Sequence, residues 1–554
     1  MALSFNPATN DFVVTTRDTE RAENTGLTLS TRVRGPAGEP MYFTKDPYAA
    51  LEFYAEGNEI ARRKLAGMMS DYEASWATEC GIAYPVGPNA PFQPRPYQNA
   101  GVDYCLRRQR RLIGDEPGLG KTLQSIVLNN VEGSGRNLII CPARVRKQWR
   151  DQIKMWTVIP NVRTYLIEKG SDGVATWPHY TIISYELARN KEIHAALRAI
   201  KWDSLTIDEG HFLKSIGALR TRAVFGGGRD MDYKEALADK AKHVTVLTGT
   251  PLPNRPRECY TLARALQWES IDWLGEDDFR FRFNPSARIT IKVRSVDPMT
   301  GEVTERDQIV NKEDKGRLPE LQARLRTNFM VRRLKADVLK DLPDKQYEFA
   351  YIETDGTIAD ILRREKMLDY KVDDLKGPYN FQIDGQISTL RREMGTAKIP
   401  QAIEHMRYLL DVVGLEKVVM FSYHRGVMDA LNEALKDYGV VEVRGGTSAH
   451  QSAKAVELFR FNPKVKIFSG QLDAAGFGID GLQDAAFHVV FIEPSWTPGN
   501  NEQAVDRLHR LGQHANVIAQ FLVVEGSLDE RILARVIDKT HTVHSALDNR
   551  IKGG

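Results

Sequence analysis

Two stretches of the chain share one pattern: short, wholly apolar runs separated by longer segments of helical periodicity. In the first, RLIG (111–114), NLIICP (137–142), YTIISY (180–185), SLTIDE (204–209) and HVTVLTGT (243–250) read as strands. TLQSIVLNNV (122–131) and ARVRKQWRDQIKMW (143–156) read as helices between them, with Pro142 near the first turn of the second. In the second stretch, the helical IPQAIEHMRYLLDVV (399–413) precedes the strands KVVMFS (417–422), VVEVRG (440–445), VKIFSG (465–470), HVVFIE (488–493) and VIAQFLVV (517–524). Continuous apolar strands alternating with helices indicate a parallel sheet covered on both faces. The pattern predicts an α/β protein with two such lobes and a cleft between them.

Three breaks divide the chain. AYPVGPNAPFQPRP (83–96) carries five prolines, which remove backbone donors and disfavour helix, so it reads as an extended linker. Alternation on both sides of DPMTG (297–301) reads as a β-hairpin protruding between Phe283 and Arg317. The third break lies near LPDKQ (342–346). Ahead of the first break, DFVVTTRDTE (11–20), GLTLSTRV (26–33) and EPMYFTK (39–45) read as short strands, followed by a helix from Pro47 through Met69. The expected division is an α+β N-terminal module at 1–88, a first lobe at 89–342 with the hairpin inserted near 283–317, and a second lobe at 343–554.

A length of 554 residues is itself too great for one core and suits about three domains. No segment approaches the ~20 continuous apolar residues of a membrane span. The beginning, MALSFNPATNDFVV, lacks the basic and apolar regions of a secretory signal. Cys80, Cys105, Cys141 and Cys259 form no Cys-x-x-Cys spacing, so neither a zinc site nor a disulfide framework is expected, which fits a reducing compartment. The net charge of +3 means that a nucleic-acid partner would have to be met by local basic patches.

The candidate chemistry begins at LIGDEPGLGKT (112–122). Gly118, Leu119, Gly120, Lys121 and Thr122 suit a phosphate-binding loop, in which glycines let backbone N–H groups approach phosphate oxygens at a helix N-terminus. Lys121 would neutralise the β- and γ-phosphates, and Thr122 would hold Mg²⁺. The first glycine of the general pattern is replaced by Asp115, and an ordinary strand-turn-helix glycine turn is the competing reading. Asp208 and Glu209 end a predicted strand, where one carboxylate can serve Mg²⁺ and the other can orient water; a solvated acidic turn is the alternative. VLTGTPLPN (246–254) could couple a phosphate sensor to a moving lobe, although its prolines suffice for a turn. In QAVDRLHRLGQ (503–513), Arg507 and Arg510 stand at i, i+3 and can project from one helical face, as arginine fingers or as a solvated basic face partnered by Asp506. The basic runs LRRQRR (106–111) and ARVRK (143–147) could contact phosphates or be solvated helix surface. Trp149, Trp156 and Trp496 are expected to pack rather than to stack on bases.

Taken in order, these motifs resemble the Swi/Snf branch of superfamily 2 helicases. The loop of that superfamily lacks the early glycine, and Asp115-Glu116-Pro117-Gly118 is similar to its Swi/Snf form. RPYQNAGVDY (95–104) looks like the adenine-reading motif, which makes Gln98 an adenine contact. LIICPARVRKQWRDQI, IISYEL, IDEGHFLKS and LTGTPLPNRPRECYTL resemble successive motifs of the first lobe, with Gly210 in place of the common Ala of the acidic box. FMVRRLKADVLKDLPDK (329–345) resembles the segment that joins the lobes. VVMFSYHRGVMDAL, AAGFGIDGL and PSWTPGNNEQAVDRLHRLGQ resemble motifs of the second, with Asp480 a ribose contact. The resemblance covers roughly 92–536, and HFLKSIGALRTRA (211–223) with NRPRECYT (254–261) look most like the HARP-type annealing helicase subgroup.

The resemblance implies two tandem RecA-like lobes with ATP and Mg²⁺ between them. Lys121, Asp208, Glu209, Arg507 and Arg510 are then catalytic. Gln98, Gly118, Leu119, Gly120, Lys121, Thr122 and Asp480 bind nucleotide, and Thr122 and Asp208 serve the metal. It implies an ATP-dependent translocase on double-stranded or branched DNA, working as a monomer and away from membranes. Residues 1–88 are an accessory DNA-recognising module or a packing extension. A strand-separating DNA or RNA helicase and an ATP-gated DNA clamp are the alternatives. No bromodomain-, chromodomain- or zinc-finger-like segment is recognised, so a cytoplasmic protein of a bacterium or phage-infected cell is expected rather than a nuclear one.

Overall fold

The computed structural model describes the chain apart from residues 227–235, 250, 252–255, 284–285, 297–302, 314–316, 373–380, 473–478, 496–497, 531–532, 534–549 and 551–554. In the first lobe, seven strands form a wholly parallel sheet. Their spatial order is Met330–Val331, Arg110–Ile113, Ala241–Leu247, Trp202–Asp208, Asn137–Cys141, Tyr180–Ser184 and Thr164–Ile167. The five apolar runs form its interior, and Asn137–Cys141 and Tyr180–Ser184 are buried along their whole length. The edges come from segments without such a run: two residues at one side and the half-buried Thr164–Ile167 at the other. Leu247 stands level with Ile113 on one neighbour and Asp208 on the other. The phosphate loop, the acidic pair and Thr248 therefore leave the sheet along one carboxyl edge, where parallel α/β sheets place their ligands.

The second lobe is also wholly parallel, in the order Lys345–Ile352, Val517–Val524, His488–Phe491, Val418–Ser422, Ile467–Gln471 and Val440–Val443. Lys345–Ile352 escaped the sequence pattern because it is an edge strand that mixes Lys345, Gln346 and Glu348 with the exposed Tyr347, Phe349 and Tyr351. The helix expected over 399–413 is α-helical at Ile399–Arg407 and becomes a π turn at Tyr408–Val412. No described helix is long and apolar enough to cross a membrane.

The N-terminal module is a four-stranded antiparallel sheet, ordered Ala2–Asn6, Asp11–Thr15, Pro40–Thr44 and Thr28–Arg34. The helix expected from Pro47 through Met69 is two helices. Asp46 caps Pro47–Leu51, and after a 3₁₀ turn Asn58 caps Glu59–Trp76. Two capping side chains one short turn apart restart the backbone rather than continue it. The module is fastened to the first lobe: Ala323 belongs to its apolar core, and the Tyr72 hydroxyl donates to Gln322 Oε1 at 2.8 Å. Asp46 and the fully buried Glu320 share Arg282 and Arg324.

The proline-rich stretch 83–96, expected as an extended linker, has no helix or strand before Pro96 and is bound along the first lobe. Tyr84 is buried with its hydroxyl on Asp103 at 3.0 Å, Gly87 N–H donates to the Trp156 carbonyl at 3.0 Å, and Asn130 donates to the Pro85 carbonyl at 3.1 Å. Prolines lack donors, but their carbonyls and neighbours still find partners. Ser286–Val296 and Val303–Glu313 pair antiparallel from Ser286 opposite Glu313 to Val296 opposite Val303; DPMTG lies outside the described residues. In the run 106–111, Arg107 is exposed and pairs with Asp103, while the other three arginines are held within the fold. Arg111 is fully buried against Glu132, Arg108 pairs with Asp71 and bonds the Thr327 and Asn328 carbonyls, and Arg110 bonds the Ala265 carbonyl.

Candidate active site between the lobes

Gly120, at φ +79°, caps the helix Lys121–Val131, and Gly118 is at φ +90°. Both are left-handed positions that favour glycine. A Cβ on Gly120 would stand 2.4 Å from Gln98 Nε2, so the loop also needs glycine to accept Gln98 beside it. Gln98 Nε2 donates to the Leu119 carbonyl at 3.1 Å, and its Oε1 accepts from Arg95 N–H at 2.9 Å. Lys121 Nζ donates to the carbonyls of Asp115 at 2.8 Å and Glu116 at 3.4 Å. Burial pushes the Lys121 ammonium below its ordinary range, against the opposing pull of Glu209, Asp115 and Asp208. A strong anion of matching geometry is the partner such a lysine lacks.

Asp115, where the general pattern has glycine, ties the loop to a distant segment. It is fully buried; Oδ1 accepts from Arg333 N–H and Nε at 2.9 Å each, and Oδ2 from Arg333 Nη2 and from Gln124 at 2.8 Å. Removing one partner of such a pair leaves a charge buried alone, which costs about 3–5 kcal/mol. Asp115→Leu is expected to lose stability on that scale in chemical denaturation. A loss below about 1 kcal/mol would show that the Tyr97 carbonyl and Gln124, which also bond Arg333, satisfy it unaided.

At the end of Trp202–Asp208, Trp149 Nε1 donates to Asp208 Oδ2 at 2.8 Å, and Glu209 N–H donates to Oδ1 at 3.0 Å. Burial and the Glu209 carboxylate push Asp208 upward. Glu209 is held at φ +54°, a conformation that a residue with a side chain adopts at a cost. Burial would raise its carboxyl, but the hydrogen bond and charge of His211, with Lys121 and Arg507, hold it below the ordinary range. His211 Nδ1 lies 3.2 Å from Glu209 Oε2 and 3.2 Å from the buried Thr248 hydroxyl. The histidine thus links the acidic pair to the TGT turn, of which Thr250 and 252–254 lie outside the described residues.

From the second lobe, Arg507 and Arg510 reach the same cavity, but not from a helical face. The helix Pro498–Val505 ends before them, and 506–510 are turns. Arg507 Nη1 donates to the Ile479 carbonyl at 3.1 Å; Arg510 pairs with Asp480 and donates through Nε to the Asp506 carbonyl at 3.1 Å. Burial and neighbouring Arg510 push Arg507 down to about 10. A Cβ on Gly118 would be 3.2 Å from Arg510 Cβ, so the loop and the arginine are already in contact across the cleft. The cavity has a volume of about 610 Å³ and is lined by Gln98, Gly118, Gly120, Lys121, Thr122, Asp208, Glu209, Asp480, Arg507 and Arg510. Leu119 is buried beneath it, its carbonyl also accepting from the Tyr97 hydroxyl at 3.2 Å.

Sequence reasoning missed the connections made by Arg332, Arg333 and Lys335. Arg332 donates to the Gly114 and Gly249 carbonyls at 2.7 and 3.1 Å, and Lys335 N–H to Glu116 Oε2 at 2.5 Å. The density of basic residues in RRLK was visible; which carboxylates and carbonyls they meet was not. Of the tryptophans, Trp149 and Trp156 are buried, Trp149 with a bond to Asp208, and Trp496 lies outside the described residues. A divalent cation fits the donors present: the hydroxyl of Thr122 and the half-buried carboxylate of Asp208, hard oxygen ligands lining one cavity with room for water.

Comparison with known proteins agrees with this arrangement. The SNF2-related domain matches residues 97–377, just over half of the chain, and the helicase conserved C-terminal domain matches 401–512. The chain is 29% identical over 446 residues to the Caenorhabditis elegans homolog of SWI/SNF-related matrix-associated actin-dependent regulator of chromatin subfamily A-like protein 1, covering 78% of this chain and 59% of that protein. It is 28% identical over 462 residues to the Xenopus tropicalis protein of that name (81% and 44%), and 26% identical over 468 residues to human DNA annealing helicase and endonuclease ZRANB3 (82% and 40%). The chain therefore spans less than two thirds of each of these relatives. The Sulfolobus solfataricus SWI2/SNF2 ATPase core in complex with dsDNA aligns over 83% of this chain and 98% of its own, at 21% identity and a TM-score of 0.38. The expectation of a bacterial or phage cytoplasmic protein is overturned: these curated relatives are animal proteins, two of them named as regulators of chromatin. With the domain match spanning both sides of the phosphate loop, the acidic pair and the joining segment, the chain belongs to the SNF2-related family of helicase-like ATPases.

Proposed function

We propose that this protein hydrolyses ATP in the cleft between its lobes and uses the cycle to move along double-stranded DNA. The observation that carries the reading is the single cavity lined by the phosphate loop of one lobe and by Arg507 and Arg510 of the other. The amides at Gly118–Thr122 cradle the phosphates. The Lys121 ammonium exchanges the Asp115 and Glu116 carbonyls for β- and γ-phosphate oxygens. Gln98, beside Gly120, faces the adenine, and Asp480, at the cavity rim, faces the ribose. Thr122 and Asp208 hold Mg²⁺, which supplies charge neutralisation at the phosphates when bound. Glu209, kept ionised by His211, orients the attacking water. Arg510 and Arg507 meet the transferring phosphoryl group from the second lobe.

DNA is the proposed track, met as a monomer. A second cavity, of about 490 Å³, lies between the helix Arg146–Trp156 and the helix Ala449–Phe461 and is lined by Lys147 and Arg150. Both cations belong to the first lobe, with Asp151 and Asp480 also on the lining, and they suit contact with a phosphate backbone from that lobe. The relatives named as DNA annealing helicases favour duplex or branched DNA over RNA. Displacement of a triplex-forming strand tests movement directly: ATP-dependent release supports it, and release without ATP, or none, contradicts it.

Glu209→Gln is expected to bind ATP normally and to turn it over about 10²–10⁴ times more slowly, the usual weight of a positioned acid–base group. Loss of ATP binding in equilibrium titration would make Glu209 structural instead. The N-terminal module is proposed to help hold DNA through the exposed Arg32 and Arg34 of its edge strand. Deleting it would strip the Ala323 side of the first lobe, so Arg32→Glu with Arg34→Glu is the cleaner test. Duplex affinity should fall several-fold at unchanged basal ATPase; unchanged affinity contradicts the role.

A further inference from the structure

Lys335 occupies a position that neither lobe's nucleotide chemistry accounts for. It opens the short helix Lys335–Val338 at the end of the first lobe, and its backbone N–H is held by Glu116 of the phosphate loop at 2.5 Å. Its side chain crosses to the second lobe, where Nζ donates to Asp506 Oδ1 at 2.8 Å and to the His509 carbonyl at 2.5 Å. Asp506 immediately precedes Arg507, and His509 immediately precedes Arg510. The pair is almost wholly enclosed, with Lys335 and Asp506 side chains 5% and 6% exposed. On the way, Lys335 Cε passes 3.7 Å from where a Gly118 Cβ would stand, beside Arg510 Cβ at 3.2 Å from the same point. One lysine therefore touches the loop, the loop's acidic neighbour and the arginine-bearing turn.

We propose that Lys335 is a positioning residue for hydrolysis: it fixes the turn 506–510 against the phosphate loop, so that Arg507 and Arg510 meet the γ-phosphate in one register when the lobes close. The proposal rests on the reading of those arginines given above. The N–H groups of Asp506 to His509 tie the turn to the end of the helix Pro498–Val505 in its own lobe, and Lys335 ties it to the first lobe. Asp506 keeps a second cation, Lys345 Nζ at 3.5 Å, but Lys345 belongs to the second lobe and cannot set the register between lobes. The His509 carbonyl gains its cross-lobe tie from Lys335. Two charge-assisted bonds in an enclosed setting are strong and directional, and displacement of a catalytic group by about 1 Å costs on the order of 10²-fold in rate.

The test is steady-state and equilibrium kinetics on Lys335→Met, which keeps the length of the chain and removes its charge, beside Asp506→Asn, the double variant and Arg510→Ala. The expected result for Lys335→Met is a kcat lowered about 10- to 100-fold, with affinity for a non-hydrolysable ATP analogue within about twofold of the parent. The double variant should be no slower than the slower single variant, because both substitutions break one link. Should Lys335→Met prove unfolded by thermal melting, Asp506→Asn is judged by the same kcat and affinity criteria. Arg510→Ala separates the two readings. If it is inactive while Lys335→Met turns over within about twofold of the parent, the positioning role is overturned and the arginine assignment stands. If Arg510→Ala itself is active, the arginine assignment and the role built on it both fall. Equal losses of kcat and analogue affinity, or additive losses in the double variant, make Lys335 a residue of the fold alone and also overturn the proposal.

Discussion

Arg510→Ala is expected to cut ATP turnover by about 10³- to 10⁵-fold, the range established for arginine fingers, while ATP still binds. The asymmetry follows from which lobe carries which part. The loop, Gln98 and the acidic pair all belong to the first lobe. Arg510 comes from the second and packs against Gly118 across the cleft. Its guanidinium pairs with Asp480, so it can be withdrawn from or delivered to the phosphate without being left unpaired. Arg507, held by the Ile479 carbonyl, is proposed to share the charge stabilisation, and its own substitution should be milder. Lysine at 510 should rescue poorly, because it lacks the planar fork that meets two oxygens at once. Nucleotide affinity and DNA-stimulated turnover measured on the purified variant decide the matter. A loss of affinity as large as the loss of rate, or no loss of rate, contradicts a site shared between lobes.

Lys121→Ala is expected to abolish hydrolysis. The loop amides and both glycines remain, so the shape of the phosphate cradle is kept, but its one ammonium is gone. That ammonium is half-buried, and its present partners are two carbonyls. Its full charge is thus available to the β- and γ-phosphates, in surroundings where charge is poorly screened. The substitution also removes the first lobe's own cation between Asp208 and Glu209 and the phosphates, leaving Arg507 and Arg510 of the second lobe. ATPase rates near the parent value would remove Lys121 from the mechanism.

Much of the architecture was legible because buried parallel strands need continuous apolar runs, and these stood out from 111 to 250 and from 417 to 524. The edge strand Val440–Val443 was legible in VVEVRG, but Thr164–Ile167, Met330–Val331 and Lys345–Ile352, edges that are short or mixed in polarity, were not. Ala2–Asn6 was missed for the same reason, having one buried residue in five. Local motifs announced the phosphate loop and the acidic pair, whose chemistry depends on neighbours in sequence. Contacts between distant segments were not announced. Asp115 looked like a missing glycine and is the anchor of Arg333, 218 residues away. Trp149 looked like core and also holds Asp208. The i, i+3 spacing of Arg507 and Arg510 suggested a helix, yet the helix stops at Val505 and the two are brought together by turns. The proline-rich stretch 83–96 read as an extended linker, and its bonds to the first lobe were not visible, because prolines signal missing donors and say nothing of the partners that their carbonyls and neighbours will find.

The central claim, that this is an ATP-driven motor on duplex DNA, is tested most directly by steady-state ATPase rates of the full chain without DNA and with single-stranded, duplex and forked DNA at one salt concentration. The account predicts low basal turnover and strong stimulation by duplex or forked DNA, exceeding that by single strands. Turnover unaffected by every DNA, or stimulation by single strands alone, would contradict it.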